Sequence, residues 1–360
     1  SDLQVIAVDS DQDKVAVVRD RLCNMGLYGT RVSVHVGDPV RHRFSPYMAS
    51  LVVSETPDGL DRVGERALAQ AVFHTLRPYG GVAVAWGSLA DRSRIEEIVK
   101  DDVFTGAIVR DAGNLVLLVR SGPLPGAADW SHAEANAAST GASEDEFIRS
   151  PMALLWFDAA QRWHKYPGQI QTRVVGGRVV FFEVGTLRAS DVYTGRRLWE
   201  VEGPFGEKPL ADALAREAIR YARHRQWGPQ ASLASITQLV VVDDAIYLSA
   251  GTSCLVFDAA TGESVGAIDL PDDLNTPWAN LRVHGDYLVG SSGPHVVCVH
   301  RSSGKLLWRV ATTRDALNLA VGGNKVFCAE LTDPRRGEAE TREGSMFALN
   351  IATGVRAWRR

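Results

Sequence analysis

Four stretches decide the fold: VGGRVVFF (175–182), VDDAIYLS (242–249), VHGDYLVG (283–290) and VGGNKVFC (321–328). Each places a tight glycine or polar turn between β-prone runs. Each is followed by a second strand pair around another turn: DVYTGRRLW (191–199), DAATGESVG (258–266), HRSSGKLLW (300–308) and NIATGVRAW (350–358). The turn glycines Gly195, Gly262, Gly304 and Gly354 lie 67, 42 and 50 residues apart. The longest interval holds a helix-like insertion, EKPLADALAREAIRYARHRQW (207–227), and the 50-residue interval holds a polar loop, TDPRRGEAETREG (332–344). Without these, the period falls to the ~40 to 45 residues of a four-stranded propeller blade. Residues 151–360 are therefore predicted to form an all-β propeller of about four recognisable blades.

Upstream the texture changes. Short apolar runs, VIAVD (5–9), VSVHVGD (32–38), SLVVSE (50–55) and GGVAVAWG (80–87), alternate with the helix-length stretches DKVAVVRDRLCNMGL (13–27) and ERALAQAVFHTL (65–76). That order predicts a parallel sheet with crossover helices. FTGAIVRD (104–111) and NLVLLVRS (114–121), separated by Ala112 and Gly113, predict a closing antiparallel hairpin. The expected organisation is an α/β Rossmann-like domain over 1–122, a linker and propeller entry segment over 123–150, and the repeats over 151–360.

The chain has 360 residues, 45% hydrophobic and 23% charged, as expected for two globular domains. No apolar run reaches the ~20 residues of a membrane helix, and no basic-then-apolar leader opens the chain, so neither a membrane span nor an export signal is expected. A net charge of −4 argues against steering nucleic acid by overall charge. Cys23, Cys254, Cys298 and Cys328 lack metal-ligand spacing, and the three that sit in apolar strand-like runs read as small buried hydrophobes. His132, His164, His284 and His295 show no metal spacing either. His42, between Arg41 and Arg43, reads as a solvated turn, with a phosphate-friendly loop as the alternative.

The repeat ending x-Thr/Ser-Gly-x-x-x-Trp resembles the pyrroloquinoline-quinone-type propeller repeat, shared by quinoprotein dehydrogenases and outer-membrane-assembly propeller lipoproteins. The resemblance implies that Trp199, Trp308 and Trp358 pack between blades, and that Gly266, at the same position in the second repeat, leaves a weaker seam. DWSHAEANAASTGASEDEFI (129–148) resembles the entry segment before the first blade. Members commonly use more blades than four, which implies further blades outside this chain or an unfamiliar closure. Pyrroloquinoline quinone itself is not expected, because no Cys-Cys pair occurs and Glu183 and Asp191 form no recognisable calcium-ligand pattern. The propeller face is expected to bind a protein, peptide or glycan. In the inserted helix, Arg216, Arg220, Arg223, His224 and Arg225 oppose Leu210, Leu214, Ala218 and Tyr221. Its apolar stripe is expected to lie on its own domain, the alternative being docking on an acidic partner or lipid headgroups.

Residues 1 to about 121 resemble class I S-adenosylmethionine-dependent methyltransferases. The resemblance implies that Asp9, ending the first strand, accepts from the two ribose hydroxyls, and that Gly37 and Asp38, after the next strand, meet the adenine. On the residues alone, Asp9 reads equally as part of a helix cap and Gly37-Asp38 as ordinary turn chemistry. Leu76, Arg77, Pro78, Tyr79, Gly80 and Gly81 resemble the family's Leu-x-Pro-Gly-Gly turn, with Tyr79 inserted. The glycine-rich loop of the family would follow a strand upstream of VIAVD, whereas this sequence begins at Ser1; the resemblance then implies that the loop lies outside it, that another segment supplies the strand, or that the domain no longer binds the ligand. Ser54, Glu55, Thr56 and Pro57 stand where the Asn-Pro-Pro-aromatic acceptor motif would lie, and Glu55 reads as an exposed strand-end glutamate. No catalytic residue and no methyl acceptor is named. Three functions follow as expectations: methyl transfer from S-adenosylmethionine with the propeller recruiting the acceptor, a binding scaffold with a degenerate methyltransferase domain, and a quinoprotein oxidoreductase. The nucleoside cofactor implies the cytoplasm, whereas propellers of this type imply the periplasm or cell envelope.

Overall fold

VIAVD and VSVHV pair in parallel as β1 (Val5–Asp9) and β2 (Val32–Val36), with Asp9 opposite Val36. Helix α1 (Gln12–Asn24) makes the crossover, and its N-cap Asp11 accepts the amides of Asp13 and Lys14. That bond pair satisfies two of the donors every helix start leaves unpaired. A second sheet holds β3 (Leu51–Val52), β4 (Gly81–Val84), β5 (Ala107–Ala112) and β6 (Leu115–Arg120) in the order β3-β4-β6-β5. Here β3 and β4 are parallel, while β5 and β6 form the expected antiparallel hairpin, joined to β4 through β6. Helices α2 (Arg62–Thr75) and α3 (Arg92–Ile98) contribute Ala69, Phe73 and Ile95 to a core shared with Leu76, Ala83, Phe104, Val116 and Leu118. The turn from α2 into β4 needs its glycines. A Cβ on Gly81 would lie 2.5 Å from the Arg77 carbonyl, and Gly80 sits at φ +109°.

The structure is a computed structural model and describes residues 3–38, 40–42, 44–53, 62–84, 92–146, 148, 150–152, 154–156, 171–183, 186–202, 238–313, 317–330 and 344–360. Glu55, the inserted helix expected over 207–227 and most of the polar loop 332–344 lie outside these residues. The chain divides into two compact units, Ser1–Pro125 and Gly126–Arg360.

One expectation for the first unit is corrected. The alternation predicts a single parallel Rossmann-type sheet, but among the described residues β1 pairs only with β2, and β3 only with β4. No ladder links the two sheets. Among the described residues β1, β2 and β3 each have a single strand partner, and Val5, Ile6 and Leu51 remain 45%, 44% and 60% exposed. Central strands of a continuous parallel sheet bury such residues on both faces.

In the second unit each repeat forms one four-stranded antiparallel sheet. The first comprises β7 (Gln171–Val175), β8 (Arg178–Glu183), β9 (Thr186–Asp191) and β10 (Arg197–Glu202). The second comprises β11 (Leu239–Val241), β12 (Ala245–Ala250), β13 (Ser253–Asp258) and β14 (Ser264–Asp269). Next come β15 (Ala279–His284), β16 (Tyr287–Ser292), β17 (His295–His300) and β18 (Leu306–Ala311). The fourth comprises β19 (Leu317–Gly322), β20 (Lys325–Glu330), β21 (Ser345–Asn350) and β22 (Arg356–Arg359). First strands are neighbours in chain order, β7 beside β11, β11 beside β15 and β15 beside β19. Apolar cores fill the three seams between successive sheets. Accordingly β12 and β16 are buried along nearly their whole length, whereas β9 and β20 alternate between buried and half-buried.

The ladders also correct the alignment of the repeats. Val175 pairs with Arg178, His284 with Tyr287 and Gly322 with Lys325, and Val242 donates to the Ala245 carbonyl. The last two repeats are thus shifted by one residue, and Val174, Val241, Val283 and Val321 are equivalent.

Candidate site at the inner edge of the sheets

The first strand of each sheet leaves one edge of amides and carbonyls without a strand partner, and buried backbone groups must be paired somewhere. The chain pairs them with itself. Trp130 and Val174 exchange both backbone bonds, at 2.7 and 3.0 Å. Val241 then donates to the Ser131 carbonyl at 3.0 Å and Val321 to the Ala137 carbonyl at 2.7 Å. Val283 donates instead to the His132 Nε2 at 3.1 Å. The four equivalent valine amides are therefore all received by residues 130–137. Ser139 Oγ, on the same segment, donates to the Leu319 carbonyl at 3.1 Å.

Side chains complete the edge. Gln171 accepts the Leu239 amide at 3.1 Å, and Gln238 accepts the Leu281 amide at 2.6 Å, each tying one first strand to the next. Arg173 donates to the carbonyls of Leu239 and Thr172, and Arg282 to the Leu281 carbonyl and twice to Ser139 Oγ. Both guanidiniums are buried; burial, then the other arginine's charge, brings Arg173 down to about 10. Burial also lowers Arg282, and the Glu134 carboxylate opposes the shift.

His132 is 2% exposed. Because its Nε2 accepts an amide, its Nδ1 carries the proton and donates to Ser131 Oγ at 2.7 Å. Burial, followed by the charges of Arg282, Arg173 and His284, pushes its pKa down to about 3, so the ring is neutral at physiological pH. The arrangement fastens strands. It presents no nucleophile paired with a base.

A flat quinone bound here would need an open inner edge and an acidic cluster for its cation. Residues 130–139 fill that edge, and among the described residues no three His, Cys, Asp or Glu side chains converge on a metal position. Asp191 is spent on its own turn, accepting from the Tyr193 and Thr194 amides and the Thr194 hydroxyl. Burial pushes the thiols of Cys254, Cys298 and Cys328 up to about 12, so they are unreactive at neutral pH.

In the α/β unit Asp9, Gly37 and Asp38 do come together. They lie at the carboxyl ends of the adjacent strands β1 and β2, where the Gly37 amide donates to the Asp9 carbonyl at 3.0 Å. The Asp9 carboxylate is already engaged: Lys14 Nζ lies 2.6 Å from Oδ2, and the Asp11 amide donates to Oδ1 at 2.9 Å. Lys14 first, then that amide, holds Asp9 below the usual carboxylate range. Asp38 Oδ1 accepts the Val40 amide at 2.8 Å. A Cβ on Gly37 would lie 3.3 Å from His42 Nδ1, and the His42 ring stands between those of His35 and Phe44, at 5.4 and 4.6 Å between centroids. The space beside Gly37, expected to receive an adenine, is lined by that imidazole.

Against known proteins, the family description for the outer membrane protein assembly factor BamB matches residues 253–360. Residues 253–360 are a pyrroloquinoline-quinone-type propeller repeat region. No curated protein matches the chain. Similar solved structures include the quinohemoprotein alcohol dehydrogenase ADHIIG of Pseudomonas putida HK5, 14% identical over 52% of this chain and 33% of its own, with a TM-score of 0.37. BamB of Moraxella catarrhalis is 15% identical over 52% and 46%, with a TM-score of 0.31. A europium-containing methanol dehydrogenase is 14% identical over 64% and 48%, with a TM-score of 0.42. The chain spans less than half the length of each of these structures, and likenesses this loose carry no argument about activity.

Sequence reasoning missed His132 as a strand fastener, and it missed Trp156. The Trp156 ring lies on Gly195 and its Nε1 donates to the Val192 carbonyl at 2.8 Å. Trp199 and Trp308 do the same on Gly262 and Gly354, donating to the carbonyls of Ala259 and Ile351. The signal for the inner edge was present as a valine just before each hairpin turn, repeated four times.

Proposed function

We propose that the propeller unit is a protein-binding scaffold that engages its partner at one end of the sheets rather than along their inner edge. The observation carrying this reading is where the chain's insertions leave the sheets. In every sheet the first-to-second and third-to-fourth turns lie at one end, pinned together by repeated bonds: Val192 to Gly177, Ala259 to Asp244, Arg301 to Asp286 and Ile351 to Asn324. The long insertions begin after Glu202, ending a fourth strand, and after Glu330, ending a second strand. Strand polarity therefore puts both departures at the opposite end. Insertions gathered on one end of a repeat array commonly mark its binding face. The match of residues 253–360 to an assembly-factor family agrees with a protein partner and with a place in the cell envelope. Photo-crosslinking in the source cell tests it. A crosslinker at Asp272, in the loop between the second and third sheets, is expected to capture a discrete protein, and one at Lys305, on the opposite end, is not. Equal or absent capture at both positions would refute the reading.

A second reading is S-adenosylmethionine binding by the α/β unit, favoured by the meeting of Asp9, Gly37 and Asp38 at two parallel strand ends. Ligands of open α/β folds bind outside the carboxyl ends of their strands. Asp9 would receive the ribose hydroxyls after releasing Lys14, and Asp38 would accept from the adenine amine. The cofactor would supply an electrophilic methyl group, transferred by in-line displacement, so alignment of an acceptor would be the protein's main task. Calorimetry with S-adenosylhomocysteine tests this reading, with binding expected for the chain and lost in Asp9→Ala.

A further inference from the structure

Arg173 and Arg282 each precede one of the four equivalent valines, so they hold the same place in the first and third sheets. In the second and fourth sheets that place is taken by the apolar Val240 and Ala320. The arginines are only 6% and 9% exposed. Buried charges are normally met by opposite ones. The buried carboxylates Glu65 and Glu330 obey this, pairing with Arg94 and Arg359. The two arginines do not: among the described residues no Asp or Glu forms an ion pair with either. Glu134, whose charge reaches both, is exposed.

Neutral oxygens take part of their hydrogen bonding. A guanidinium has five N–H donors. Arg173 directs three of them to the Leu239 and Thr172 carbonyls and, at 3.4 Å, to Gln171 Oε1. Arg282 directs three to the Leu281 carbonyl and, at 3.1 and 2.8 Å, to Ser139 Oγ. That hydroxyl spends its own proton on the Leu319 carbonyl, and Leu319 is the counterpart of Leu239. The two arginines are therefore matched staples, each holding its strand to the next sheet and each keeping donors in reserve. His132 lies in the field of both and is neutral, so it leaves their charge uncompensated.

We propose that the inner edge holds a chloride-type anion, bound by the unspent donors of Arg173 and Arg282. Water would satisfy those donors but carries no charge. Residues 130–139 close the edge, which favours a monatomic anion over an acidic side chain reaching in from a partner. The inference is independent of the partner-binding reading above.

Urea unfolding in sodium chloride against sodium methanesulfonate, at equal ionic strength, tests it. Tryptophan fluorescence follows the propeller unit, which contains eight of the nine tryptophans. Each tenfold rise in chloride above its dissociation constant should raise the folding constant about tenfold, with methanesulfonate giving no such gain. Arg282→Gln should remove the difference between the salts, and Glu134→Gln should keep it. Identical unfolding of the wild type in both salts would overturn the proposal, as would chloride dependence that survives Arg282→Gln. Dependence that appears only in Glu134→Gln would also overturn it, because the Glu134 carboxylate would then be the counter-ion. Should Arg282→Gln fail to fold, crystals of the wild type grown in bromide decide: an anomalous peak touching both guanidiniums is expected, and its absence would refute the site.

Discussion

His132 Nε2 accepts the amide of Val283, 151 residues further along the chain, at 3.1 Å. The equivalent amides of Val174, Val241 and Val321 go to backbone carbonyls. An imidazole thus stands in for a peptide oxygen at one of four matched positions, and it does so only while unprotonated, because the charged ring has no lone pair to offer.

Acid is therefore expected to loosen the propeller unit through this residue. The folded pKa of His132, about 3, lies below its ordinary 6.5. The associated stability is complete above pH 6.5 and is lost progressively as pH falls towards 3, because the unfolded chain takes up the proton first. The effect is on the order of a few kcal/mol. Arg282, Arg173 and His284, the charged and titratable groups around the ring, deepen it. Urea unfolding of the wild type and His132→Gln across that range measures it: the variant keeps an acceptor but cannot titrate, so its pH dependence should be flatter. Equal slopes would contradict the assignment.

The seams should differ in what they lose. Trp278 is fully buried among Ile268, Leu270, Leu274 and Leu281, in the seam whose repeat carries Gly266 in place of tryptophan. The expected weak seam is thus filled by Ile268 and by a tryptophan from the following loop. Trp278→Ala should cost about 3–5 kcal/mol, as for other buried aromatic truncations. The half-buried Trp199→Ala should cost less. Chemical denaturation of the two variants decides the order, and a larger loss at Trp199 would contradict this account of the seam.

Gly354 sits at φ +70°, and a Cβ there would lie 2.7 Å from the Trp308 ring. Gly354→Ala combines backbone strain with displacement of the indole, and should destabilise by at least about 1 kcal/mol. Gly113, at φ +64° with open space around it, should show the strain alone when replaced by alanine. Thermal unfolding of the two variants separates these contributions.

For the α/β unit, Lys14 and any nucleoside compete for one carboxylate. If that unit binds S-adenosylhomocysteine, Lys14→Ala should tighten binding and Asp9→Ala should abolish it, both measured by calorimetry. Weaker binding in Lys14→Ala would show that the lysine assists the ligand instead.

The four sheets were readable because glycine turns and docking tryptophans are imposed by backbone conformation and by close packing, which leave residue-type signatures. The filling of the inner edge was not readable. It is made mostly by the carbonyls of Trp130, Ser131 and Ala137, and a peptide oxygen looks the same in any sequence. The split of the first unit into two sheets was hidden for a similar reason, since VIAVD has the same pattern whether one strand or two lie beside it. At the candidate nucleoside site the residues Asp9, Gly37 and Asp38 were legible as a group, but Lys14 and His42, which occupy their polar and open faces, come from a helix face and a loop with no distinguishing motif.

The most direct test of the scaffold account is amide hydrogen exchange, resolved by residue, at Val174, Val241, Val283 and Val321. A sealed inner edge predicts that all four exchange as slowly as amides in the middle of the sheets, and that His132→Ala speeds Val283 more than the other three. Exchange of these four amides at the rate of exposed loops would show that the edge is open, and would contradict the account.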